Sequence, residues 1–185
     1  MQEIQADIIR QAASGDKEAF RSLYDVYADY VFNIALRMVR NREDAQEVTQ
    51  EVFIAVFRKL KHFRFQASLK TWIYRITINM AINQTKKRAK NRDRTVEYDD
   101  TRTAATGNAL EQTIDQEHRQ KLIDKLLGFL TPEQRACVVL RNIEGLSYKQ
   151  IAQTLNIDIN AVRSRLKRSR EKLLSQRKEV MAHEM

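Results

Sequence analysis

The chain has 185 residues, of which 43% are hydrophobic and 31% charged, and its formal net charge is +9 at neutral pH. That length suits one medium domain or two small ones, and the composition is that of a folded chain. A single cysteine, Cys137, excludes a disulfide framework, and its apolar surroundings indicate a buried structural thiol. Without a bilayer-length apolar stretch or a signal peptide, we expect a cytoplasmic protein.

The N-terminal half is predicted to be helical. Apolar residues recur at spacings of three and four from Phe20 to Met38, which is the helical period. Asn41 can cap a second helix, whose valines repeat every four residues up to Leu60. After a break that is rich in aromatic and polar groups, Ser68 can cap a third helix.

The C-terminal half is predicted to be helical as well. Capping boxes begin at Thr131 and Ser147, the first with a proline at the first helical position, and Gly145 ends the helix between them. Neither half shows an alternating strand pattern. We therefore predict an all-α fold of two small helical domains joined by a flexible linker, the C-terminal domain being a helix-turn-helix.

Positive charge is concentrated in two parts of the chain. Residues 85–94 carry a net charge of +5 and residues 117–185 one of +6, whereas residues 95–116 between them carry −4. Two basic sites on one chain indicate a polyanion that is contacted at two points. The middle segment has few large apolar groups, so we predict domains at 1–94 and 117–185 with a linker at 95–116.

The sequence LSYKQIAQTLNIDINAVRSRLKRSREKL, residues 146–173, predicts a helix-turn-helix. Ile159, Val162 and Leu166 stripe the inner face of the second helix. The outward side then carries four side chains that can reach base edges and phosphates: Arg163, Ser164, Lys167 and Arg168. A solvated basic face is the alternative, but two short, separately capped helices at this spacing favour DNA contact.

Three patterns in the N-terminal half are each open to two interpretations. The loop HFRFQAS, residues 62–68, and the nearby Asn79 combine aromatic faces with an amide edge, which suit an unstacked base or simply a packed loop. The basic run at residues 86–90, at the end of the helix that Ser68 begins, either contacts phosphates or is a solvated helix end. Three polar residues that lie away from the valine stripe form either a partner surface or a solvated face: Glu47, Gln50 and Glu51.

The two halves resemble, in order, the second and fourth domains of bacterial sigma factors. The motifs TWIYRI and VRSRL carry this resemblance, which covers roughly residues 16–92 and 117–175. With only these two domains and a short linker, the chain is similar to an extracytoplasmic-function sigma factor of the sigma-70 family. One departure is that Asp158 and Asn160 stand where the family usually has Pro and Gly at the start of the recognition helix.

The resemblance implies a role for each of these surfaces. The C-terminal domain would read the minus-35 duplex through Ser147, Tyr148, Arg163, Ser164, Lys167 and Arg168. The N-terminal domain would melt and capture the minus-10 strand through Phe63, Arg64, Phe65, Gln66, Ala67, Ser68, Ile76, Asn79, Lys86, Lys87 and Arg88. The β′ clamp helices of the RNA polymerase core enzyme would bind Glu47, Gln50 and Glu51.

The sequence offers no support for an enzyme. It has no glycine-rich phosphate loop, and its three histidines are far apart, which disfavours a metal site. The resemblance instead implies a non-catalytic specificity subunit without a cofactor or small-molecule substrate, whose partners are core polymerase, promoter DNA and an anti-sigma factor. Two alternatives stay open at this point: a site-specific recombinase with a helix-turn-helix tail, and a regulator that binds duplex DNA by itself.

Overall fold

A computed structural model of the protein describes residues 4–92 and 122–183, with side chains described for residues 4–90 and 122–176. Every regular element in these ranges is a helix, which confirms the predicted all-α class. Among these helices we find none with the length and apolar character that a membrane span needs. The predicted linker at residues 95–116 lies entirely outside the described residues, so the domain boundaries stay predictions.

The N-terminal domain consists of four helices. Helix α1 covers Ala6–Ala13, α2 covers Lys17–Val39 and α3 covers Arg42–Lys59. A short 3-10 turn at Leu60–His62 follows α3 and leads into the loop before α4, which covers Leu69–Arg92. The last three α-helices pack against one another, and α1 packs across α2 and the 3-10 turn.

The helix starts agree with the capping residues predicted for this domain. The Asn41 side chain accepts a hydrogen bond from the Asp44 amide at 2.9 Å, and the Ser68 hydroxyl accepts one from the Thr71 amide at 3.1 Å. Each cap satisfies a backbone donor that the helix itself leaves unpaired. Both capping predictions are confirmed.

The N-terminal core comes from the predicted apolar stripes. Val31, Val48, Val52 and Ile78 are fully buried. Complete burial of one such side chain contributes roughly 1.5–3 kcal/mol, so these stripes fix which face of each helix points inward. The opposite, polar faces of α3 and α4 are left at the surface.

The described part of the C-terminal domain begins with helical residues 122–128, which we call α5, followed by α6 at Pro132–Val138. A π-helical turn at Val139–Ile143 ends this stretch, and helices α7 at Tyr148–Leu155 and α8 at Ile159–His183 follow. The capping boxes predicted at the starts of α6 and α7 are both present.

Cys137 is fully buried in the core of the C-terminal domain. Burial raises the pKa of its thiol, because the thiolate loses its hydration there. A raised pKa keeps the sulfur protonated and unreactive at neutral pH. Its burial confirms the position predicted from the sequence.

The two domains contact each other, and Arg135 of α6 lies at the centre of that contact. Its side chain is only 5% exposed and donates hydrogen bonds to the carbonyls of Leu127 at 2.9 Å and Leu130 at 3.2 Å. A third bond goes to the carbonyl of Met38 in the other domain. Burial lowers the pKa of Arg135 to about 10, so the guanidinium stays charged at neutral pH and binds all three carbonyls.

A second contact between the domains centres on Glu144, in the segment between the π-helical turn and α7. Its carboxylate accepts hydrogen bonds from the hydroxyls of Tyr30 at 3.0 Å and Tyr74 at 2.5 Å. Burial and this bond raise the pKa of Tyr74 well above its usual value, so its hydroxyl remains a donor. The Lys70 ammonium lies 5.1 Å and 5.6 Å from the centroids of the two tyrosine rings.

Candidate nucleic-acid interfaces

Helices α7 and α8 form the predicted helix-turn-helix. Asn156 ends α7 in the left-handed region, at φ 52° and ψ 51°, which asparagine adopts more readily than most residues. At the start of α8, the Asp158 carboxylate accepts a hydrogen bond from the backbone amide of Asn160 at 2.6 Å. Asp158 therefore supplies a cap at the point where the sequence departs from the usual Pro and Gly.

The outward face of α8 carries the residues that we predicted to face DNA. Val162 and Ser169 are fully buried on the opposite side, which fixes the rotation of the helix about its axis. Among the outward residues, the Arg163 guanidinium donates to the Asn160 amide oxygen at 3.0 Å, within the same helix. All four predicted residues of this face are exposed: Arg163, Ser164, Lys167 and Arg168. We call these four the α8 face.

The two predicted contacts at the start of α7 have different surroundings. The Ser147 hydroxyl accepts from the Gln150 amide at 3.2 Å, and the Ser147 amide donates to the Gln150 side chain at 2.8 Å. The Ser147 hydroxyl therefore accepts a hydrogen bond within the capping box, and its own proton stays available for donation to a further acceptor. Tyr148 is 37% exposed, and the Arg141 guanidinium lies 5.2 Å from its ring centroid.

The predicted minus-10 loop, residues 63–68, is mostly exposed and is held by aromatic contacts. Phe63 is half-buried, with ring centroids 5.4 Å from Trp72 and 4.8 Å from Phe65. Phe65 is 47% exposed and has a φ of +56°, a region that bulky residues rarely adopt. The loop's other four residues are all exposed: Arg64, Gln66, Ala67 and Ser68.

Helix α4 follows this loop and places the other predicted minus-10 residues. Asn79 is exposed and Ile76 is half-buried, three residues earlier and on the same side of the helix. Neighbouring Thr77 and Ile78 are fully buried, so the helix core stops at the edge of this face. An exposed amide beside partly exposed apolar surface can hold a base by its edge and its flat face.

The basic run at the end of α4 is exposed, but two of its cations are paired. The Lys86 ammonium lies 2.7 Å from the Glu133 carboxylate of the other domain, and the Arg88 guanidinium bonds the Asp44 carboxylate of α3. The Lys86 ammonium holds the pKa of Glu133 below its usual value. Lys87 is exposed. The sequence analysis missed both pairings because the acidic partners lie on other helices.

The predicted polymerase-binding residues lie along one exposed edge of α3. Glu47, Gln50 and Glu51 are exposed, and Glu47 also accepts a hydrogen bond from the Gln84 side chain of α4 at 2.8 Å. The same edge continues into Ile54 and Phe57, which are 51% and 52% exposed. These two residues were not predicted from the sequence, although the spacings of four from Gln50 to Ile54 and of three from Ile54 to Phe57 place them on the same edge. We call the five residues the α3 edge.

Together, the fold and these surfaces define a class: a helical, two-domain DNA-binding protein with a helix-turn-helix, and no metal-binding cluster among the residues the structure describes. Family models support this class. The model of sigma-70 region 2 matches residues 23–91, and that of sigma-70 region 4 matches residues 120–173. The chain belongs to the extracytoplasmic-function sigma factors of the sigma-70 family, which are non-catalytic specificity subunits of RNA polymerase. This membership excludes the recombinase alternative.

Curated relatives agree with this assignment. The chain is 36% identical over 164 residues to the ECF RNA polymerase sigma factor SigE of Mycolicibacterium smegmatis, covering 87% of this chain and 63% of that protein. It is 33% identical to the RNA polymerase sigma-H factor of Pseudomonas aeruginosa, covering 92% of each. It is 28% identical to SigW of Bacillus subtilis, covering 93% of this chain and 96% of that one.

Solved structures show the same fold. CnrH, solved in complex with the cytosolic domain of CnrY, superposes with a TM-score of 0.68 at 22% identity, covering 94% of this chain and 96% of that one. The sigma factor RpoE of Bartonella quintana, solved in complex with the anti-sigma factor NepR, gives 0.64 at 21% identity, covering 86% and 96%.

Proposed function

We propose that the protein directs core RNA polymerase to promoters, with the α8 face reading the minus-35 duplex and the loop at 63–68 with Asn79 capturing the melted minus-10 strand. The observation that supports this is the presence of two chemically different surfaces on one chain. Duplex reading needs hydrogen-bond donors on a rigid helix, as on α8. Strand capture needs exposed flat faces and amide edges, as at Phe65 and Asn79. Such work with polymerase implies a cytoplasmic protein.

Transcription in vitro from a pool of genomic fragments tests this function and identifies the promoters. Purified core enzyme with the protein should give transcripts whose templates share two upstream elements, and the protein should bind core enzyme one to one. A regulator that binds duplex DNA alone would instead shift the fragments without polymerase. Transcript profiles that match those of core enzyme alone would contradict the proposal.

Strand capture has a test of its own because it contributes only after the DNA opens. Base stacking is worth roughly 1–3 kcal/mol per base and an amide hydrogen bond about 1 kcal/mol. We expect Phe65→Ala and Asn79→Ala to leave closed complexes nearly intact and to reduce open complexes by about tenfold, since 1.4 kcal/mol is a factor of ten. Permanganate reactivity of thymines measures the open form.

Asn33→Ala, which changes an exposed asparagine of α2, is the matched control for Asn79→Ala. A thermal melt of each variant identifies any loss of folding at the loop. A defect that disappears on a pre-melted template assigns the residue to opening, and one that persists assigns it to capture. Unchanged thymine reactivity in a folded Asn79→Ala protein would remove that residue from the site.

We also propose that the α3 edge docks the β′ clamp helices of core polymerase. Its acidic half suits a basic partner, and its exposed Ile54 and Phe57 suit an apolar contact. The double variant Glu47→Lys, Glu51→Lys should fold but fail to co-elute with core enzyme. Because Glu47 also bonds Gln84, the single variant Glu51→Lys separates docking from helix packing. Glu18→Lys, at an exposed site of α2, is the charge-matched control.

An anti-sigma factor is the further partner that we propose. The two similar structures described above are complexes, one with the cytosolic domain of CnrY and one with the anti-sigma factor NepR. Such a partner would hold the chain away from polymerase, so its binding should be mutually exclusive with that of core enzyme. A stable ternary complex of the three on a sizing column would contradict this.

A further inference from the structure

Three aromatic rings form a row that leads outward through the loop at 63–68. Trp72 of α4 contacts Phe63, and Phe63 contacts Phe65, with centroid distances of 5.4 Å and 4.8 Å. The outer ring, Phe65, is 47% exposed on a backbone with φ of +56°. Backbone strain that presents an apolar ring to solvent is more typical of a binding site than of a packing position.

The outer ring has a cationic neighbour from a different helix. The guanidinium of Arg10 in α1 lies 5.6 Å from the Phe65 ring centroid, within the range of a cation–π contact. Ile9 and Ala12 of α1 are buried, so the core fixes the helix rotation that brings Arg10 to the loop. Arg10 itself is exposed and also bonds the Asp7 carboxylate at 2.6 Å.

We propose that Arg10 is a DNA-contacting residue of this loop, supplied by α1. The inference rests on the proposed function, in which an unpaired base stacks on Phe65. Such a base would lie against or beside the guanidinium that contacts the same ring. A planar guanidinium stacks on bases and donates to phosphates, so Arg10 stays in contact with the incoming strand.

Asp7 has the opposite effect on the strand. Its carboxylate competes with phosphate for the Arg10 guanidinium and repels the strand's negative charge. Removing the charge of Asp7 should therefore strengthen strand binding, whereas removing Arg10 should weaken it. A purely structural ion pair predicts the same sign for both changes, so this opposition separates a DNA contact from a structural role.

The experiment uses Trp72 as its reporter, because it is the single tryptophan of the chain and touches Phe63. The full-length protein is titrated with ten-nucleotide homopolymer single strands at several salt concentrations, and Trp72 emission is followed. We expect Arg10→Ala to weaken binding about fivefold and to lower the salt slope by about 0.7, the value of one contact on a single strand. Arg10→Lys should keep the slope but bind more weakly, and Asp7→Asn should bind more tightly.

Arg42→Ala is the matched control. Arg42 is also exposed and lies 5.5 Å from a phenylalanine centroid, that of Phe32, but it begins α3 at the end farthest from the loop. If Arg10→Ala binds the strands as tightly as the wild type while Phe65→Ala binds them more weakly, the role of Arg10 is overturned and the strand site at the loop is not. No effect of Phe65→Ala, or no Trp72 response in the wild type, would overturn the strand site itself. If Arg10→Ala lowers the melting temperature, two other results decide whether Arg10 contacts the strand. They are the direction in which Asp7→Asn changes strand affinity and the salt slope of binding by Arg10→Lys.

Discussion

The two candidate DNA surfaces differ in what their cations do in the chain by itself. On the α8 face, Lys167 and Arg168 have no carboxylate within ion-pair distance among the described residues, and Arg163 bonds only Asn160 of its own helix. On α4, Lys86 pairs with Glu133 of the other domain and Arg88 with Asp44 of α3. DNA can therefore bind the α8 face without breaking contacts between helices, whereas at α4 its phosphates must compete with carboxylates.

A basic cluster in a sequence can therefore serve two purposes. The α4 cations contribute to packing between helices and between domains as well as to a candidate phosphate site. Arg75 extends the same pattern, because its guanidinium donates to the Gln153 carbonyl of α7 at 2.5 Å. The helix-turn-helix is thus held against the helix that carries the proposed minus-10 residues.

The largest effect is expected at Arg135, which bonds carbonyls of both domains. Arg135→Ala leaves three buried acceptors without their donor, and we expect a loss of about 3 kcal/mol in the free energy of unfolding. Chemical denaturation measures it. Arg141→Ala removes an exposed arginine that bonds one carbonyl, that of Leu146, and is the control. Equal stability of the two variants would show that the domain contact contributes little.

Next comes Arg163, which tests the α8 face. Arg163→Ala should cost roughly 1–3 kcal/mol of promoter affinity if the side chain pairs with a base edge, with no change in melting temperature. Arg21→Ala, which changes an exposed arginine of α2 in the other domain, is the charge-matched control. Holoenzyme binding to promoters from the fragment pool measures both. An equal loss for the two variants would indicate a general charge effect without base reading.

A smaller effect is expected at Tyr74, whose hydroxyl bonds Glu144 across the domain contact. Tyr74→Phe removes one hydrogen bond and should cost about 1 kcal/mol of unfolding free energy. Tyr24→Phe, at a ring that is 45% exposed, is the control and should have almost no effect. A double-mutant cycle between Tyr74→Phe and Glu144→Ala isolates the pair, and additive losses would mean that the bond does not couple the domains.

The smallest effect is expected at the exposed pair of Lys86 and Glu133. Their side chains are 60% and 32% exposed, and such pairs contribute about 0.2–1 kcal/mol. Because the pKa of Glu133 is lowered in the folded protein, this stabilisation is present at neutral pH and disappears as the pH falls below the ordinary carboxyl value of 4.5. Coupling in a Lys86→Ala, Glu133→Ala cycle should therefore be larger at pH 7 than at pH 3. Equal coupling at the two pH values would contradict an ionic origin.

Phosphate competition gives the same pair a second readout. If DNA replaces Glu133 as the partner of Lys86, then Glu133→Gln should strengthen binding to promoter DNA slightly, although it removes an ion pair. Lys87, the exposed residue next to Lys86 in the sequence, serves as the reference, because Lys87→Ala should only weaken promoter binding. Weaker promoter binding by Glu133→Gln would show that the domain contact assists DNA binding.

The sequence was sufficient to predict helices α2, α3, α4, α6, α7 and α8, the caps of several of them and the outward face of α8. Caps at Asn41, Thr131 and Ser147 depend on a few neighbouring residues, and a stripe with a period of 3.6 residues states which side of a helix is buried. Such interactions can be predicted from the sequence because they join residues that are close together along the chain. The roles of the individual surface residues remain proposals.

Which charged groups contact other helices or the other domain depends on the tertiary fold. The hydrogen bonds from Arg135 to Met38 and from Tyr30 to Glu144, and the cation–π contact of Arg10 with Phe65, join positions that no sequence period relates. Thr154 of α7 gives another case, because this polar residue is fully buried whereas the apolar Leu155 beside it is only half-buried. Long-range packing sets such details, because each helix turns slightly about its own axis to fit its neighbours. The spacing of apolar residues in the sequence is too coarse to predict so small a rotation.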